Sequence, residues 1–437
     1  MAFAPLEPSL WFATASPAPE TGALESAISA DVCIIGAGYT GLSSAIHLAE
    51  KGTAVVVLEA NVIGFGGSGR NAGHCTPTFH HHSLAGVRKI LGEPFGTRFI
   101  AAQANAADLV FGLIDRYGID CDAVRTGYVE AAHTPAVFAR IDAKNADYMA
   151  LGKRTQVLTK AETERRTGSQ RYFGGWLHPD GGHLNPLSYV RGLARALLGL
   201  GGRIYTQSTV ISIKPAGTRW QVSTSRGSVT VDKVVLASGA YSTAYWPGID
   251  RTFARLATAA FATEPLSPEL IESIVPENNT VVETRSDPAS YRITADGRLV
   301  TTMMVEGRRG GNVDYTRMIA SRRFEWILPQ LRGKRWEYYW YGELDMHSRT
   351  FPRLYDVAPG IAAATGFSGR GVPTGTAVGE ILADWAFGIS RKDLAMPMDP
   401  LTTVSPLLNL ATRVALPYVR LVDQMSAWRY GIRPPKY

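Results

Sequence analysis

Residues 31 to 60 read DVCIIGAGYTGLSSAIHLAEKGTAVVVLEA, and no other part of the 437-residue chain constrains the fold as tightly. A short apolar run, a glycine turn, apolar residues at helical spacing and a second apolar run together predict a βαβ unit. Gly36, Gly38 and Gly41 place GxGxxG at the first strand-to-helix junction. There the first glycine permits a tight turn, the second lets a pyrophosphate approach the backbone, and the third lets the helix pack on the strand. The helix start, from Tyr39 and Thr40, would turn free N–H groups and the positive dipole end toward phosphate. Glu59 closes the second strand where an acid can accept from a ribose hydroxyl, with Ala60 directly after it. The strand, helix and terminal acid all stand in place around the glycines, so the motif predicts a dinucleotide site in a Rossmann-like domain.

With 45% hydrophobic and 19% charged residues, the chain has the material for two cores. A second, α+β domain is therefore expected beside the α/β one. The formal charge of +7 is spread among mixed acids and bases, which gives no basic stripe for nucleic acid. Cys33, Cys75 and Cys121 are odd in number and far apart, a pattern that fits neither a disulfide framework nor a thiolate metal site and suggests a reducing cytoplasm. No run approaches the length of a membrane span. The triplet His80, His81 and His82 lacks the spacing that lets side chains converge on one ion, so no metal is expected. Residues 1–30, with Pro5, Pro8, Pro17 and Pro19, read as an extended arm over the fold.

A second glycine-rich run, GFGGSGRNAGHC, follows Glu59 and holds Gly67, Ser68, Arg70, Asn71, Ala72, Gly73 and His74. At these residues the sequence strongly resembles the FAD-dependent oxidoreductases of the D-amino-acid oxidase superfamily, in the branch that includes γ-glutamylputrescine oxidase. Four further segments resemble the family in the same order: Gly181 to Val210, Val231 to Tyr241 with Gly239, Tyr291 to Val300, and Gly366 to Trp385. The last opens with Gly366, Phe367, Ser368, Gly369, Arg370, Gly371 and Val372, similar to a GxSGHG loop that wraps the isoalloxazine edge, but with arginine where histidine is usual.

The resemblance implies an antiparallel-sheet substrate domain inserted into a discontinuous FAD domain. The FAD domain is expected over residues 31–92, 157–245 and 346–392. The substrate domain is expected over 93–156 and 246–345, with a helical tail over 393–437 that docks on the protein. It also implies oxidation of the C–N bond of an amine or amino acid by hydride transfer to flavin N5, giving an imine that hydrolyses. Oxygen is the first expected acceptor and a quinone or carrier protein the second; a non-catalytic FAD-binding subunit is a third reading, and the oligomeric state stays open. Asn71 stands where some relatives attach FAD covalently through histidine, and no cysteine follows Cys121, so non-covalent FAD is expected.

Candidates around the reacting centre are His74, Tyr291, Arg292 and Arg370. Some flavin oxidases that the chain resembles place a lysine over the flavin. Here the only lysine between Lys233 and Lys392 is Lys334, which leaves Arg292, Arg370 or protonated His74 to supply that charge. The near alternation of WEYYWYGELDM, Trp336 to Met346, predicts a strand, with Tyr338 or Trp340 as candidates for an aromatic wall.

Overall fold

The βαβ unit forms as its periodicity predicts, with strands Val32–Ile35 and Val55–Leu58 joined by the helix Tyr39–Ala49. The structure is a computed structural model that describes residues 5–80, 82–305 and 312–435, without the side chains of 406 and 409–415. All eight residues of the two strands are buried, as expected for strands covered on both faces.

These strands sit within a seven-stranded sheet. Its order is Met398–Pro400, Arg353–Ala358, Ile361–Thr365, Lys233–Leu236, Val32–Ile35, Val55–Leu58 and Arg203–Tyr205. Every neighbouring pair is parallel except the antiparallel pair formed by the second and third strands of that order. The carboxyl ends of three adjacent strands, at Ile35, Leu236 and Thr365, therefore point the same way. The loops that follow them share one rim, the usual ligand position in a doubly wound sheet. The helix Val372–Phe387 lies against Tyr39–Ala49, and Ser43 Oγ and Ser44 Oγ donate across to the Thr376 and Gly379 carbonyls (2.7 and 2.8 Å).

The second core is built on an eight-stranded, largely antiparallel sheet. Its order is Trp336–Met346, Ala254–Thr263, Leu299–Met304, Ser290–Ile293, Thr280–Glu283, Tyr128–Ala131, Gly175–His178 and Gln156–Leu158. The aromatic strand has the bounds its alternation predicted. The strand Gly175–His178 comes from the 157–245 span expected for the FAD domain, and Gln156–Leu158 straddles its start, so along this stretch the chain joins the two sheets. A four-stranded sheet formed by Ala27–Ser29, Ser228–Val231, Arg219–Ser223 and Ser212–Ala216 completes the first half.

The N-terminal arm is more ordered than an extended segment. The N-terminal arm contains a helix, Leu10–Thr14, capped by Ser9, and it buries Leu10 and Trp11 where an extended arm was expected. Trp11 Nε1 donates to the Asn71 carbonyl (2.8 Å), which ties the arm to the second glycine loop. The tail forms the helix Pro406–Trp428 with Pro417 inside it, and it docks where Arg420 Nε donates to the Asp287 carboxylate (2.8 Å) and the Asp423 carboxylate accepts from Ser286 N–H (2.9 Å). Among the described residues no helix is long and apolar enough to cross a membrane, and no three His, Cys, Asp or Glu side chains are grouped to hold a metal ion. His82 is engaged by the Arg349 carbonyl and Thr350 (both 2.8 Å); His81 lies outside the described residues.

Candidate active site

Two adjoining cavities open above the strand ends. The larger, about 560 Å³, runs from the first glycine turn to the loop after Thr365. Of the residues expected to hold the cofactor, Gly36, Gly38, Tyr39, Thr40, Glu59 and Ala60 line its first half. Gly67, Ser68, Asn71, Val210 and Gly239 line it further along, with Phe367, Gly369, Arg370 and Gly371 at the far end. The smaller cavity, about 220 Å³, takes Arg70, Ala72, His74, Ser368 and Val372 from the same set. Gly67, Asn71, Glu343, Leu344, Gly369, Arg370 and Gly371 border both.

The larger cavity fits FAD. Helix Tyr39–Ala49 starts at Gly38, which has no side chain to cap it, so its positive end faces the cavity. Ser68 Oγ accepts from Tyr39 N–H (3.0 Å) and ties the second glycine loop to the first. Glu59 accepts from the Ala37 and Asn61 amides (2.9 and 2.8 Å), which hold its carboxylate at the strand end in spite of burial that pushes its pKa up. A Cβ on Gly67 would meet no protein atom nearer than 3.9 Å, and Gly67 has no left-handed backbone, so protein packing does not require glycine there. The space over that backbone is open to a flat ligand.

Asn71 organises the loop. Its Nδ2 donates to the Gly67 and Ser68 carbonyls and to Tyr39 Oη (3.0 to 3.1 Å), and its Oδ1 accepts from Gly73 N–H (2.8 Å). Arg70 Nε and Nη1 donate to the Phe65, Pro5 and Tyr341 carbonyls, so its charge braces the fold although its side chain borders the smaller cavity. Two cofactor candidates pack beneath the cavity. A Cβ on Gly41 would lie 2.0 Å from Gly36 O, and one on Gly73 would lie 2.0 Å from Leu184 O. Gly366 N–H donates to the Asp345 carboxylate (2.8 Å).

Three expectations for the reacting centre are corrected. Tyr291 is fully buried in the second core, donates to the Thr167 carbonyl (2.8 Å) and lines neither cavity. Arg292, 2% exposed, turns to the opposite face of the same strand, donates to the Ala72 and Leu184 carbonyls (2.6 and 2.8 Å) and stacks over Trp11. It braces the second glycine loop from behind. His74 does line the smaller cavity and hydrogen-bonds Thr280 Oγ1. Burial first, then the charge of Arg292, holds its pKa well below the ordinary histidine value, so it is neutral there at neutral pH. Only Arg370 of the proposed cations is both charged and at the junction of the cavities. Burial lowers it to about 10, which leaves it charged at neutral pH, and its Nη1 donates to the Thr78 carbonyl (2.9 Å).

Neither proposed aromatic borders a cavity. Trp340 donates to the Arg70 carbonyl (2.8 Å), and Tyr338 packs on Arg298. The same strand instead contributes Glu343, Leu344 and Asp345, three residues that the motifs did not single out. Asp345 is buried and raised to about 6 by burial.

Residues 31–385 match the family described as FAD dependent oxidoreductase, DAO. The chain belongs to this family of FAD-dependent oxidoreductases. It is 32% identical to the gamma-glutamylputrescine oxidoreductase of Escherichia coli K12, over 84% of this chain and 86% of that one. It is 29% identical to a probable oxidoreductase of Haemophilus influenzae, over 90% and 92%. Among solved structures, glycine oxidase from Geobacillus kaustophilus superposes with a TM-score of 0.69 at 20% identity, covering 86% of this chain and 99% of that one. An L-amino acid deaminase from Proteus myxofaciens gives 0.69 at 19%, covering 86% and 94%.

Proposed function

We propose that the protein oxidises the C–N bond of an amine or amino acid with non-covalently held FAD, the substrate sitting in the smaller cavity. The observation that carries this reading is the shared border of the two cavities at Gly67, Asn71, Glu343, Leu344, Gly369, Arg370 and Gly371. A small molecule there would lie directly beside the far end of the larger cavity. The names of the E. coli relative and of the solved neighbours point to amines and amino acids as the substrate class.

FAD, when bound, supplies the two-electron acceptor for the C–N bond; the chain supplies position and electrostatics. Gly36, Gly38 and Glu59 would hold the nucleotide half of FAD, and Gly67, Asn71 and the Gly369–Gly371 turn its ring end. Arg370 places a positive charge at the junction, where negative charge develops on reduction. Met303, Met304, Val282 and Leu344 give the smaller cavity apolar walls that exclude water from the reacting carbon. An ammonium substrate must lose a proton before it is oxidised, so activity rises with pH until the bound amine is neutral. Asn71 is committed to the loop by four hydrogen bonds and has no nucleophilic atom to bond FAD, hence the non-covalent reading.

Oxygen is the proposed acceptor. Transfer to a quinone or carrier protein is the second reading, favoured by one observation: among the described residues, none of those lining either cavity is a lysine. Two experiments test the proposal. An anaerobic screen of amines and amino acids should find one that bleaches the flavin, and a chain that no member of either class reduces contradicts it. Mixing the reduced enzyme with oxygen then decides the acceptor, because reoxidation no faster than that of free reduced flavin selects the second reading.

A further inference from the structure

Four acids line the cavities among the described residues, and the protein answers three of them. Glu59 accepts from two backbone amides. Asp345 accepts from Gly366 N–H. Asp287 is held by Arg420 Nε of the tail helix (2.8 Å) and lies 3.4 Å from Arg323. Glu343 differs. It is half-buried on the strand Trp336–Met346, at the border shared by both cavities, and no side chain among the described residues pairs with its carboxylate.

Among the described residues, none of the neighbouring basic groups pairs with that carboxylate. Arg255, whose charge reaches Glu343, donates to the Ala240 and Ser242 carbonyls (2.8 and 2.7 Å). Arg70 is bonded to three carbonyls, His74 is neutral, and Arg370 turns one amino group to Thr78. The Tyr241 hydroxyl accepts from the Glu343 backbone N–H (3.3 Å). Desolvating a carboxylate without a partner is costly, so a fold that leaves one on a cavity wall has a place for a ligand cation. The rest of that wall, with Ala260, Val282, Met303, Met304 and Leu344, suits an alkyl chain.

We propose that Glu343 recognises the positive charge of an alkylammonium group, and that the substrates of the smaller cavity are aliphatic amines that carry such a group. This rests on the reading of the smaller cavity as the amine site. The carboxylate anchors the cation while the apolar wall takes the chain. Selection is by charge as well as by shape, since a carboxylate ligand at the same place meets repulsion.

Binding of butyltrimethylammonium, a permanent cation that cannot be oxidised, tests this in the holoenzyme through the change it causes in the flavin's visible spectrum. Butyrate, of opposite charge, serves as the control. Glu343→Gln, which keeps the shape and removes the charge, should weaken the cation by about tenfold or more and leave butyrate unchanged or tighter. Glu343→Asp, which keeps the charge, should retain the preference for cation over anion. Unchanged cation binding in the glutamine variant overturns the proposal. So does a variant that loses FAD while its remaining holoenzyme binds the cation normally, since Glu343 would then serve the cofactor. The broader proposal fails separately, when the wild-type protein binds the cation but no amine bleaches its flavin.

Discussion

Alanine at Gly41 and alanine at Gly38 change the same motif by the same atoms, yet they should fail for different reasons. A Cβ on Gly41 would stand 2.0 Å from Gly36 O and 3.2 Å from both the Gly36 carbonyl carbon and Ile34 Cγ2. Ordinary contact is about 3.4 Å, so the helix must retreat by about 1.4 Å from the turn beneath it. Helix propensity favours alanine by about 1 kcal/mol. Overpacking against backbone, which cannot rotate away, costs about 3 kcal/mol or more. The net destabilisation is therefore about 2 kcal/mol or more, in the apoprotein as well as the holoenzyme. At Gly38 the new Cβ meets only Ser68 Oγ, at 2.9 Å, and this hydroxyl can turn aside for about 1 kcal/mol, the worth of its bond from Tyr39 N–H. Gly38→Ala should then fold nearly as well as wild type and fail at the cofactor, because its methyl group lies on the cavity wall. Thermal unfolding of the two apoproteins, followed by FAD titration read by fluorescence quenching, separates the cases. A Gly41→Ala protein that unfolds and binds FAD like wild type refutes the reasoning, as does a Gly38→Ala apoprotein destabilised as much as Gly41→Ala.

Three further outcomes are expected. Glu59→Ala strands the Ala37 and Asn61 amides and removes the proposed ribose acceptor, so FAD affinity should fall by roughly 1.5–3 kcal/mol, measured by equilibrium titration; normal affinity would remove Glu59 from the site. Arg292→Met leaves the Ala72 and Leu184 carbonyls buried without a donor and should cost roughly 3 kcal/mol in urea unfolding while reoxidation of the reduced flavin keeps its rate; slowed reoxidation at unchanged stability would return Arg292 to the reacting centre. Asp345 is raised from 3.8 to about 6, so the folded apoprotein keeps a proton that the unfolded chain releases. Its contribution is most favourable below pH 3.8 and is lost as pH rises through about 6, by about 3 kcal/mol. Asp345→Asn should flatten the pH dependence of urea stability across that window, and an equally steep drop in the variant contradicts the assignment.

What the sequence made legible was local. The GxGxxG turn, its helix and Glu59 occupy 24 consecutive residues, 36 to 59, and the close approach of Gly41 to Gly36 O arises within that stretch. The strand Trp336–Met346 was legible for the same reason, since its alternation is written along one segment. Side-chain direction in a sheet covered on both faces was not. Alternation says that Tyr291 and Arg292 point opposite ways, but one packs against Phe324 and the other against Trp11, so neither face is the open one. Glu343 carried no local signal: its neighbours Gly67, Asn71 and Arg370 are distant in the chain and meet only across the two sheets. The charge state of His74 was likewise hidden, because it depends on burial and on Arg292, a residue more than two hundred positions away. The same holds for the arm, whose prolines suggested extension while Ser9 capped a short helix that the second glycine loop anchors.

In the proposed reaction an amine in the smaller cavity gives its electrons to FAD in the larger one. A single-turnover experiment tests it most directly: oxidised holoenzyme is mixed without air with excess aliphatic amine, and flavin bleaching and carbonyl product are measured together. One carbonyl should be released per flavin reduced, and butyltrimethylammonium should slow the bleaching by competition. Flavin bleached without carbonyl product, or bleaching indifferent to that competitor, would contradict it.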